Sequence, residues 1–94
     1  IPDVFALHQN YPNPFNPVTT IRYDIPEQAL VRIDIYNILG QKVAVLAEGF
    51  HEPGFHAVTW NGTNMYGNAL SSGMYFYHIN AGDFRDVKKL LLVK

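Results

Sequence analysis

Thr20-Ile21-Arg22-Tyr23-Asp24-Ile25-Pro26 decides the fold of this chain. Ile21, Tyr23 and Ile25 alternate with Thr20, Arg22 and Asp24. That period of two puts apolar side chains on one face of a strand and polar ones on the other. Pro26 closes the run, because proline cannot donate to a ladder. The same period returns in Val31, Ile33 and Ile35, which alternate with Arg32 and Asp34. Lys42 to Ala47 is a third strand, ended by Glu48-Gly49, and Phe55 to Trp60 is a fourth, beyond the Pro53-Gly54 turn. Met74 to Ala81 is a fifth, rich in aromatic residues. Gly82-Asp83 turns it tightly into a last strand from Phe84 to Val93. Residues 61–73 hold three glycines and three asparagines, which exclude regular structure for most of that stretch. No segment has sustained helical periodicity. Short strands at regular spacing therefore predict an all-β antiparallel sandwich. The run Leu90-Leu91-Leu92-Val93 is apolar on both faces and is expected between neighbours, not at an open edge.

Ahead of the first strand stands Gln9-Asn10-Tyr11-Pro12-Asn13-Pro14-Phe15-Asn16-Pro17, with three of the six prolines in its last six positions. Each proline fixes its own φ and pushes the preceding residue out of the α region, so helix is excluded. Asn13 and Asn16 precede prolines, where their side chains can bond nearby backbone and set turns. Tyr11 and Phe15 are too apolar for a loose linker and predict a stiff segment pinned to the domain by two rings. Proline discourages edge-to-edge pairing, so residues 5–17 are expected to cover one sheet edge. Residues 1–4 look like the end of a linker, and 5–94 like a single domain.

Ninety-four residues with 48% hydrophobic content suit one small core of modest stability. With no cysteine, neither a disulfide nor thiolate chemistry is available. The net charge of −1 argues against general nucleic-acid binding. Charge is unevenly placed, however: Arg85, Lys88, Lys89 and Lys94, four of the seven basic residues, fall in the last ten positions. No apolar run is long enough for a transmembrane helix, and no basic n-region with an apolar core opens the chain. A start methionine is also missing, consistent with a piece of a longer protein.

The candidate chemistry is sparse. His8, His51, His56 and His78 lack the spacing of converging zinc ligands, although His56 and His78 both fall on strands. The loop Asn61-Gly62-Thr63-Asn64-Met65-Tyr66-Gly67-Asn68 has the flavour of a calcium loop without a carboxylate, so a structural turn is the simpler reading. Ser71 and Ser72 lie in no nucleophile-elbow pattern. Spacing does not exclude a carboxylate pair for glycoside chemistry, but a domain this small leaves little room for a cleft. No cofactor, metal site or enzymatic activity is expected. Trp60, Tyr66, Tyr75 and Tyr77 are candidates for a sugar-stacking platform, set against a core role for about half of them. The clustered terminal lysines suit either a solubilised sheet edge or a strand accessible to a receptor by charge and edge pairing.

The chain resembles the C-terminal sorting domain of proteins exported by the type IX (Por) secretion system of the Bacteroidetes and related phyla. It is also similar to the immunoglobulin-like domain of the flagellar hook-capping protein. The matching stretches are Gln9 to Pro17 with Thr19 and Ile21; Tyr36-Asn37 with Leu39-Gly40-Gln41 and Val43; Gly54, His56, Val58 and Trp60-Asn61-Gly62; Ser72-Gly73 with Tyr75 and Tyr77; and Lys88-Lys89-Leu90 with Leu92 and Lys94. The resemblance implies an immunoglobulin-like sandwich of about seven strands. It implies a non-catalytic secretion address, attached to an upstream cargo and handled by outer-membrane export machinery and its sorting peptidase. The place implied is the periplasm in transit, then the cell surface or the medium. Lys88, Lys89 and Lys94 match the family's basic terminal motif, and Gly82 the glycine before it. Pro12, Asn13, Pro14, Pro17, Gly40, Trp60, Gly62, Gly73 and Tyr75 fall on its structural motifs. Relatives commonly carry aspartate where this chain has Asn61 and Asn64, which weakens any carry-over of ion binding. The readings from other classes are a carbohydrate-binding accessory module and a structural immunoglobulin-like spacer.

Overall fold

The computed structural model describes residues 1–94. The alternating stretches become strands β1 (Ala6–Leu7), β2 (Thr19–Ile25), β3 (Ala29–Tyr36), β4 (Lys42–His51), β5 (Gly54–Trp60), β6 (Gly73–Ala81) and β7 (Phe84–Leu92). They form two antiparallel sheets, ordered β1-β2-β5 and β4-β3-β6-β7. The chain changes sheet between β2 and β3, β4 and β5, and β5 and β6, as in immunoglobulin-like sandwiches.

The alternation seen in sequence is the partition between core and surface. Ile21, Tyr23 and Ile25 of β2 meet Val31, Ile33 and Ile35 of β3 and Tyr75, Tyr77 and Ile79 of β6 in one buried cluster. Leu90 and Leu92 of β7 complete it from the sheet edge. Burying a side chain of this size stabilises by about 1.5–3 kcal/mol, so this cluster outweighs any polar contact at the surface.

Two expectations change, and one strand is new. β4 does not stop at Glu48-Gly49 but runs to His51, with Gly49 at φ +131° opposite Val31. An outer strand accommodates such a glycine, since no neighbour packs where its side chain would be. The two-residue β1 was not legible, being too short to show a period. Finally, β7 lies at a sheet edge, not between two strands. Its double-sided apolarity has another cause: Leu90 and Leu92 face the core, while Leu91 pairs with Met74 on the outer face beneath the proline-rich segment.

Registers set the ends of the sandwich. The β2–β3, β4–β5 and β6–β7 turns lie at one end, together with residues 1–5. The β3–β4 turn, the 61–72 loop, the proline-rich segment and Lys94 lie at the other. The body is 37 Å long and 22 by 20 Å across.

Candidate functional site

The proline-rich segment and the C-terminal half of β7 form one unit. Prolines at 12, 14 and 17 keep this segment out of helix, so its backbone and side chains are free to pair sideways. The Gln9 Nε2 donates to the Lys89 carbonyl at 2.7 Å. Asn13 Oδ1 accepts from the Leu91 N–H at 3.0 Å. The Phe15 N–H donates to the Leu91 carbonyl at 3.0 Å, and the Val93 N–H donates to the Phe15 carbonyl at 2.9 Å. In a strand the N–H and C=O of one residue point the same way, so these bonds fill the outward edge of β7 from Lys89 to Val93. The sequence suggested a terminal strand free for edge pairing; over these residues the edge is already taken. Further down, the Val87 N–H is bonded to Asp86 Oδ1 at 2.8 Å. Asp86 and Lys88 also point to the inner face there, opposite Ile79 and Tyr77. Inward charge at an open edge deters pairing with another chain.

The strap is anchored from beneath. Phe15 is 2% exposed and packs on Trp60 at 5.6 Å between ring centroids, and Tyr75 meets Trp60 edge-on at 5.6 Å; Tyr11, the second ring expected to pin the segment, is 75% exposed and does not. Trp60 Nε1 donates to the Thr63 carbonyl at 2.9 Å, which ties the 61–72 loop to the same cluster. Tyr77 Oη donates to the His8 carbonyl at 2.6 Å and accepts from the Asn10 N–H at 2.8 Å. Burial raises the Tyr77 pKa from 10.0 to about 12, against the opposing effect of the Asn10 N–H. Asn10 Nδ2 donates to Thr19 Oγ1 at 2.9 Å, and Thr19 Oγ1 donates to the Pro12 carbonyl at 2.8 Å. Both Asn10 and Thr19 are buried. Asn10, Thr19 and Tyr77 fall in stretches that carry the family resemblance, but the sequence assigned them no buried hydrogen-bonding role. The signal would have been polar residues inside an apolar motif, whose pairing only the fold reveals.

The basic residues are dispersed along β7. Lys89 and Lys94 are exposed, Lys88 is half-buried on the opposite face from Lys89, and Gly82 sits in the β6–β7 turn at the far end of the strand. None of the three lysines is in an ion pair, since the pairs present belong to His8, Arg32 and Lys42. The Lys94 N–H donates to Ser72 Oγ at 3.0 Å, which fixes the chain end beside β6. Gly40 and Gly62 have φ of +80° and +73°, as their turns require. Gly73 opens β6.

Other candidate chemistry does not assemble. No group of three His, Cys, Asp or Glu side chains converges. His51 and His56 meet at 5.0 Å between rings, but His51 Nε2 bonds Tyr23 Oη at 2.8 Å and His56 Nε2 bonds the Glu52 carbonyl at 2.8 Å. In the 61–72 loop Asn64 Oδ1 accepts from the N–H groups of Tyr66 and Asn68, a turn network built on one side chain. The candidate aromatic platform does not form: Trp60, Tyr75 and Tyr77 take the core role weighed against it, and of the four only Tyr66 is exposed.

A family model described as the secretion system C-terminal sorting domain matches residues 9–94. The chain belongs to that family. The matched region opens at Gln9, the first strap residue bonded to β7, and closes at Lys94. The sorting domain is thus a type IX secretion address, and its family is non-catalytic. Such a domain implies an upstream cargo and delivery to the cell surface or beyond. No curated protein matches the chain. Solved structures share the fold, two of them from the type IX secretion system. One is dimeric latent PorU from Porphyromonas gingivalis, with TM-score 0.74 and 24% identity over 99% of this chain and 10% of that one. The other is PorZ, a surface component of the type-IX secretion system of Porphyromonas gingivalis, with TM-score 0.62 and 21% identity over 98% of this chain and 12% of that one. The sorting domain therefore spans about a tenth of the solved chains it matches.

Proposed function

We propose that the outer-membrane export machinery reads this domain through the C-terminal half of β7 and the residues after it. Lys89 and Lys94 are the charged contacts, Lys88 supports them from the other face, and Gly82 sets the turn that starts the strand. The observation that carries this reading is the strap, which holds a basic terminal segment, its lysines in no ion pair, in fixed register at the end of the body. A receptor thereby meets ordered side chains and does not lose affinity by ordering them itself. Direct edge pairing over Lys89–Val93 would require the strap to leave, so side-chain recognition is favoured over strand addition. Residues 5–94 act as the domain and 1–4 as the end of a linker. It has no catalytic activity of its own, passes through the periplasm with its cargo, and meets a sorting peptidase at the outer membrane.

The test fuses residues 1–94 behind a reporter in a host with this secretion system. Export should fall sharply in the Lys89→Ala/Lys94→Ala double variant with the melting temperature unchanged. Export at the unaltered level would end this reading and place recognition of the sorting domain on another surface.

A further inference from the structure

The net charge of −1 conceals a division along the body. Stretches 9–23, 35–47, 53–82 and 87–94 contain no aspartate or glutamate. Between them they build the whole end of the sandwich that carries Lys94. Lys42, Lys88, Lys89 and Lys94 all fall in those stretches, on that half of the body. Asp34 borders this half, but it is buried and held by Arg32 at 3.0 Å and Lys42 at 3.8 Å. One end is thus cationic with no exposed side-chain carboxylate, while the acidic residues gather towards the other.

On the outer face of the four-stranded sheet, register places one row across all four strands. Lys42 of β4 is opposite Tyr36 of β3, Tyr36 is opposite Phe76 of β6, and Phe76 is opposite Lys89 of β7. Two half-buried rings therefore lie side by side between two lysines. No layer of the sandwich covers this face. Above the row, partly exposed Met74 lines two adjoining grooves, one reaching the strap and the other the β3–β4 turn. That turn presents Ile38 and Leu39 at 71% and 77% exposure. It is held rigid by Asn37 Oδ1, which accepts from the N–H groups of Leu39 and Gln41. With Val43, Leu70 and Met74 around the same groove these two side chains form a contiguous apolar surface on an ordered turn, which marks an interaction site.

We infer that the Lys42-Tyr36-Phe76-Lys89 row is a docking face for a protein segment carrying carboxylates around an apolar or aromatic side chain. Charge complementarity selects that occupant: carboxylates meet the two lysines, and the apolar group meets the rings and Met74. The inference rests on the sorting reading and widens it, because Lys42, Tyr36 and Phe76 lie far in sequence from the terminal residues. The chain end supplies one border of the site, and the sheet supplies the rest.

Export of the reporter fusion tests this with Lys42→Gln, Phe76→Thr and their double variant. Phe55→Thr serves as the control, at an aromatic 73% exposed on the opposite sheet. The double variant should export about tenfold less than the parent, and Phe55→Thr should export normally. Lys42→Arg, which keeps the charge beside Asp34, should also export normally. It controls for a fold effect, as does a melting curve of each purified fusion. If the double variant exports normally while Lys89→Ala/Lys94→Ala does not, the docking face is overturned and the terminal reading stands. If both export normally, the terminal reading fails as well. Concentration-dependent self-association that the double variant abolishes would make a second copy of the chain the occupant and overturn the inference.

Discussion

Tyr77 joins the strap to the sheet through one hydroxyl, bonded to both His8 and Asn10. Tyr77→Phe leaves a buried N–H and a carbonyl without that partner, so it should cost about 1–3 kcal/mol in a denaturant titration. The same hydroxyl gives stability a pH dependence. Its pKa is raised from 10.0 to about 12, so its contribution is intact below pH 10 and is lost as pH rises from 10 towards 12. Burial also raises Tyr23 and Tyr36, and their contributions fade in the same direction. Melting temperatures should therefore fall on the alkaline side, and the fall should be shallower in Tyr77→Phe. Equal slopes in the two proteins would dissociate the hydroxyl from alkaline stability. Gly62 offers a second check. Its φ is +73°, and a side chain there would meet Leu92 Cδ2 at 3.3 Å and the Pro17 carbonyl at 3.5 Å. Gly40 has φ +80° with nothing within 4 Å. Both alanine substitutions carry about 1–2 kcal/mol of backbone cost, but Gly62→Ala adds crowding against the strap and β7. It should melt well below Gly40→Ala.

At the scale of elements, the strap behaves as a missing strand beside β7. Phe15→Ala removes its buried ring and should cost about 3–5 kcal/mol. Hydrogen exchange should then quicken at the Leu91 and Val93 amides, whose acceptors are Asn13 Oδ1 and the Phe15 carbonyl. Unchanged exchange at those two amides would show that the strap does not order the terminal strand. Much of this architecture was legible because period-two alternation reports burial directly: Ile21, Tyr23 and Ile25 are core, as are Val31, Ile33 and Ile35. The proline run was legible as an extended segment, since its restrictions are local. Its partner was not, because an edge contact between Phe15 and Leu92 spans nearly the whole chain and leaves no local pattern. The same limit explains the placement of β7. A leucine run looks alike whether its second face is covered by a strand or by a strap. Nor do aromatic residues announce their side of a strand, so Trp60, Tyr75 and Tyr77 resembled a platform until pairing turned them inward.

The whole molecule is a 37 Å body with unlike ends. Residues 1–5 enter beside the β2–β3 turn, at the end where acidic residues gather; the lysines and the locked Ile38-Leu39 turn stand at the other. A sorting domain attached to an upstream cargo gains from this separation. The cargo's bulk and charge then sit a body length from the face to be recognised, beyond roughly three Debye lengths at physiological salt. Insertions at the two ends distinguish this from a signal confined to the last residues. Glu27-Gln28 and Ile38-Leu39 are both exposed positions in turns that join strands of this sandwich, so a short polar epitope should be tolerated by the fold at either. Inserted between Glu27 and Gln28, it should leave export of the reporter fusion intact. Inserted between Ile38 and Leu39, it should block export, although neither variant alters a residue of β7 or of the strap and both should melt cooperatively. Export that survives the second insertion would mean the cationic end is engaged through β7 alone, with the sheet face and its turn serving only to carry it.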